Sequence, residues 1–69
     1  MTDDNVYKIN EVAGSSAESL EDAMQGAVSK ASRSLQHLRW FEVQDIRGHL
    51  ENGRIAHFQV VMKIGFTLD

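Results

Sequence analysis

The order of apolar and polar positions changes character twice along this chain. Residues 6–12 (Val-Tyr-Lys-Ile-Asn-Glu-Val) mix β-branched and aromatic side chains with polar ones, which suits a first strand. Gly14, Ser15 and Ser16 favour turn geometry and are read as its end. Leu20, Met24, Ala27, Val28, Ala31 and Leu35 then recur at steps of three and four, drawing one narrow apolar stripe down a helix. Ser15 with Glu18 three residues on has the form of a capping box. Glu18, Glu21 and Asp22 put negative charge at the helix start, while Lys30, Arg33 and His37 gather toward its far end, both as the helix dipole favours. The pattern predicts a helix over 15–36 whose alanine-rich stripe can lie close against a sheet.

After Leu38 the period falls to two. Strands are expected over 39–50 and 55–68, joined at Glu51-Asn52-Gly53-Arg54, because Asn-Gly readily takes the positive φ that a tight hairpin turn needs. The chain has no proline to interrupt either strand. The predicted class is α+β: a βαββ chain with a three-stranded antiparallel sheet packed on one helix.

With Asn52 and Gly53 as the turn residues, the expected opposed pairs are Trp40–Gly65, Glu42–Lys63, Gln44–Val61, Ile46–Gln59 and Gly48–His57. Phe41 and Val43 then face Ile64 and Met62, with Phe58, Val60 and Phe66 alongside, as a core under the helix. The second face carries Trp40, an ion pair of Glu42 with Lys63, and the amides of Gln44 and Gln59. One helix cannot cover both sides of a sheet. A face holding the only tryptophan must be covered either by another subunit or by a planar ligand.

Size sharpens this. Sixty-nine residues make one domain (1–69, with 1–5 expected as a flexible tail), and a chain so short buries only about 60 % of its unfolded surface. There is no cysteine for a disulfide, and His37, His49 and His57 are not spaced as a zinc finger, so no metal ligands are predicted. Oligomerisation is the remaining way to support so small a core, and long strands with open edges favour it.

Ten acidic residues against seven basic ones, a formal charge of −3, argue against a nucleic-acid partner. No apolar run approaches the roughly 20 residues of a membrane span, and Met1-Thr2-Asp3-Asp4-Asn5 does not resemble a signal peptide, so a soluble cytoplasmic protein is expected. An enzyme is not predicted. His49, His57 and Glu42 could exchange protons, but no nucleophile sits beside a base and no glycine-rich phosphate loop is present.

Five segments together carry a family resemblance: Ala13-Gly14-Ser15-Ser16, Leu38-Arg39-Trp40-Phe41-Glu42-Val43, Ile46-Arg47-Gly48, His57-Phe58-Gln59-Val60 and Lys63-Ile64-Gly65-Phe66. In a βαββ chain of this length they resemble the dodecins, from Tyr7 to Leu68. The resemblance implies a hollow homododecamer with helices outside and sheets facing the interior. It further implies flavins (FMN, riboflavin or FAD) held in pairs at two-fold contacts, and a role in flavin storage, sequestration and photoprotection by quenching. Trp40 matches the stacking tryptophan and Gln59 the glutamine that hydrogen-bonds the pyrimidine edge, while Asp45 and Arg47 match positions near the ligand. Coenzyme A binding is not predicted, because Thr67 stands where some members have a basic residue. The alternative is an oligomeric structural or interaction module without a native flavin, in which Trp40 is an interface hot spot.

Overall fold

Asn52 and Gly53 take φ of 53° and 76°, the paired positive values that a two-residue hairpin turn requires. Around that turn, the computed structural model, which describes residues 6–68, arranges β1 (Tyr7–Ser16), α1 (Leu20–Ser34), β2 (Leu38–Glu51) and β3 (Arg54–Thr67). The strand order is β1-β3-β2, and both pairings are antiparallel. The predicted βαββ architecture is the observed one. The expected tail over 1–5 lies outside the described residues. Among these, no helix is long and apolar enough to cross a membrane.

The junction of β1 and α1 differs from expectation. Gly14-Ser15-Ser16 does not end the strand, and Ser15 does not cap the helix. Ser16 is buried, and its Oγ accepts from the backbone N–H of Glu18 at 2.9 Å and of Ser19 at 3.4 Å while donating to Asp22 Oδ2 at 2.8 Å. That hydroxyl closes the link, so the strand continues to Ser16 and the helix starts at Leu20. Ser19 is the N-cap, its Oγ accepting from the N–H of Asp22 at 2.9 Å. The glycine has a different use. A Cβ at Gly14 would overlap the carbonyl oxygen of Ala23, so its absence lets α1 lie on β1. At the other end α1 stops at Ser34, and His37 at φ 63° turns the chain into β2.

The core lies between α1 and the β1–β3 half of the sheet. Val60 and Met62 are fully buried with Ala23, and Val12, Met24, Ala27 and Val28 pack against them. Each large side chain buried this way contributes about 1.5–3 kcal/mol. Phe41 and Val43, expected in this core, share its side of the sheet but remain 52 % and 38 % exposed. The reason is placement: α1 packs on β1 and β3, and β2 lies beyond its edge.

The molecule is long, 52 × 21 × 16 Å. Its radius of gyration of 14.3 Å exceeds the roughly 11 Å of a compact domain of this length. A helix of 15 residues spans about 22 Å, against about 46 Å for strands of 14 residues. The distal hairpin therefore projects past the helix, leaving Ile46, Leu50 and Ile55 more than half exposed.

Apart from a shift at Arg39, beyond which Leu38 pairs with Phe66, the hairpin register is the expected one near both ends and shifts between them. Glu51–Arg54 and Leu50–Ile55 pair beside the turn, and Trp40–Gly65, Phe41–Ile64, Glu42–Lys63 and Val43–Met62 pair at the far end. Gln44 on β2 and Ala56 on β3 are extra residues, and between these two bulges every pair moves by one. The observed partners are Asp45–Val61, Ile46–Val60, Arg47–Gln59, Gly48–Phe58 and His49–His57. The expected pairs Gln44–Val61, Ile46–Gln59 and Gly48–His57 are thus overturned. Because side chains alternate with period two, the slip also exchanges faces. Ile46 joins Val60 on the helix side, and Asp45 and Arg47 move to the helix-free side.

Candidate ligand-binding face

On β3, buried Val60, Met62, Ile64 and Phe66 alternate with Gln59, Val61, Lys63 and Gly65, so the second set defines the helix-free face. The partners of this second set complete it in rows. Ile9, Gly65 and Trp40 form one; Glu11, Lys63 and Glu42 the next; Ala13, Val61 and Asp45 the third; Ser15, Gln59 and Arg47 the fourth; and His57 with His49 the last.

Trp40 has a built seat. A Cβ on Gly65 would overlap Cε2 and Cζ2 of the indole, so the ring rests on bare backbone. The Tyr7 ring meets it edge-on, with centroids 6.2 Å apart and planes at 65°. Backbone beneath and tyrosine beside it fix the indole while 37 % of the residue stays exposed. Turn geometry places Trp40 beside Gly65, but nothing in the residue pattern marks Tyr7 as its neighbour.

Glu42 and Lys63 oppose each other, yet the ion pair among the described residues is Asp45–Arg47 instead, and Glu51 Oε2 lies 3.7 Å from His49 Nε2. Arg47 Nη2 donates to Asp45 Oδ2 at 2.6 Å, an i, i+2 contact along one face of β2. The hydrogen bond and positive charge of Arg47 hold the Asp45 carboxyl below its ordinary value. Arg47, Gly48 and His49 of β2, His57 and Gln59 of β3, and Ser15 of β1 line an open concavity of about 440 Å³.

Of the four residues singled out from sequence, Arg47 and Gln59 line this concavity, Asp45 is joined to it only through its hydrogen bond with Arg47, and Trp40 stands apart. Gly65, under Trp40, and Gln59 are six residues apart on β3, roughly 20 Å at 3.3 Å per residue. One planar ring in one chain cannot touch both. The juxtaposition of His49 with His57 also escapes sequence reasoning, because neither Gln44 nor Ala56 marks a bulge by its residue type. Among the described residues, no group of three or more His, Cys, Asp or Glu is placed to hold a metal ion.

A family model for Dodecin matches residues 6–69. A dodecin of Thermus thermophilus is 45 % identical over 64 residues, covering 93 % of each chain. The chain belongs to the dodecin family. Solved dodecin structures agree along its length. The dodecin of Streptomyces davaonensis superposes with a TM-score of 0.89 at 42 % identity, covering 97 % of this chain and 98 % of its own. That of Streptomyces coelicolor gives 0.90 at 41 % identity, covering 99 % and 97 %. This dodecin therefore shares its backbone with those proteins over nearly the whole chain, the projecting hairpin included.

Proposed function

We propose that this dodecin binds flavin, as FMN, riboflavin or FAD, and stores and sequesters it in the cytoplasm within a hollow homododecamer, without catalysing a reaction. The observation that carries this reading is the seat of Trp40: an indole backed by Gly65, steadied by Tyr7 and open on the helix-free face.

The residues present fit the ligand. An electron-rich indole plane stacks on a flat electron-poor ring, and the Gln59 amide offers both a donor and an acceptor to its pyrimidine edge. Arg47 and Asp45 lie beside Gln59, where the arginine can reach an anionic or polar tail. The separation of Trp40 from Gln59 requires two copies, the indole of one and the amide of another meeting on the same ring at a two-fold contact. The exposed Phe41, Val43, Ile46, Leu50 and Ile55 are the apolar surface that assembly would bury, with the sheets turned inward and the helices outward.

Bound flavin supplies an absorbing, photoreactive ring. Trp40 quenches its excited state by electron donation from the stacked indole, which protects the cell from flavin photochemistry. Coenzyme A is not part of this reading, because Thr67 is neutral and buried. The second reading, an oligomeric module without a native flavin, rests on the same exposed apolar residues.

Titration of purified protein into FMN separates the two. Quenched flavin fluorescence and a yellow assembly support binding; an assembled protein that leaves FMN fluorescence unchanged supports the module. Trp40→Ala should keep the assembly and lose about 1–3 kcal/mol of flavin affinity, the usual contribution of a stacked aromatic.

A further inference from the structure

The extra residue at Ala56 sets His49 directly across from His57 on adjacent antiparallel strands. Their ring centroids are 6.4 Å apart, with planes inclined by 53°. Two imidazoles bound to one zinc ion at about 2.0–2.1 Å place their ring centres roughly 5–6 Å apart, a closure that side-chain rotation alone can supply. Both residues are exposed, so no packing opposes that rotation. Glu51 stands beside the pair, Oε2 3.7 Å from His49 Nε2.

We infer that His49 and His57, assisted by Glu51, form a solvent-open site for a divalent cation of the zinc class. Two neutral imidazoles select a borderline metal over calcium or magnesium, which prefer all-oxygen shells. Glu51 is not a third ligand; it stands beside His49 as an acidic outer partner, the usual neighbour of a ligating histidine. The surrounding charges permit a cation. Arg47 of β2 is engaged by Asp45, Arg54 of β3 opposes Glu51, and Ser15 of β1 and Gln59 of β3 are neutral. Two protein ligands leave the remaining positions for water, so the ion exchanges freely and adds no structural staple. The site does not depend on flavin.

Zinc chloride titrated calorimetrically into the full chain without flavin, near neutral pH, tests this. One ion per chain is expected at micromolar affinity. His49→Gln and His57→Gln should each weaken binding at least tenfold, while His37→Gln, in the turn before β2, should leave it unchanged. Histidine ring signals in NMR should shift on zinc addition for residues 49 and 57 alone. Acidification should weaken binding, since protons compete for the ligating nitrogens. Circular dichroism of the variants checks that they fold. Absence of binding by the unmodified chain, or equal affinity in both hairpin variants, overturns the site, as does an equal loss in His37→Gln.

Discussion

The indole of Trp40 lies across the α-carbon of Gly65, filling the volume that any side chain at that position would claim. The pair is matched across two strands, with glycine on β3 because tryptophan is on β2. Gly65→Ala should therefore act on the tryptophan. Its Cβ would overlap the six-membered ring of the indole, forcing Trp40 to turn away from Tyr7. The expected outcome is a shifted tryptophan emission and at least a tenfold weaker binding of FMN, with the assembly retained. Undiminished FMN binding in a variant with shifted emission would show that the pose of the ring does not set affinity.

Gly14 and Gly26 make a second comparison. A methyl group at Gly14 meets the main-chain oxygen of Ala23, which cannot move without lifting α1 from β1. Gly14→Ala should cost about 1–3 kcal/mol, the range for overpacking a tight interface. Gly26 is exposed on the helix with nothing near its missing Cβ. Gly26→Ala should add about 0.5–1 kcal/mol by raising helix propensity. Denaturant midpoints of the two variants should thus move in opposite directions.

Asp45 and Arg47 predict a pH effect. The folded carboxyl titrates below its ordinary value of 3.8, so the chain gains stability from this contact above that value and loses it as acid protonates the folded group. The pair is exposed and the gain small, so a direct reading of the carboxyl is the better measurement. A carbon-detected NMR titration should find Asp45 depressed, and Arg47→Ala should return it toward 3.8. An unaltered Asp45 titration in that variant would mean that the arginine is not the cause.

Most of the fold is legible in the order of residues because it rests on local chemistry. The helix stripe from Leu20 to Leu35, the Asn52-Gly53 turn and the row joining Trp40 to Gly65 all follow from period and turn geometry. The register shifts do not. Those at Gln44 and Ala56 fall on residues with no conformational signature, and their effect is to exchange faces for everything between them. Asp45, Arg47 and His49 are hidden from a pattern-based register for that reason. Ser16 misleads differently. Its hydroxyl has the chemistry of a turn residue, yet it is spent on Glu18, Ser19 and Asp22 from the end of a strand.

The strand order β1-β3-β2 has a temporal side. Neither β1 nor β2 pairs with the other; each waits for β3, which follows both in the chain and is made after them. Val60, Met62 and Ile64, the most deeply buried large side chains, are also on β3. A nascent chain that has emerged only through β2 has neither a sheet nor the centre of its core. At synthesis rates of about 5–20 residues per second, the turn and β3 follow in roughly one to three seconds, and folding then starts with every pairing still to be made. Truncation anywhere within β3 removes part of the single element that joins all the others.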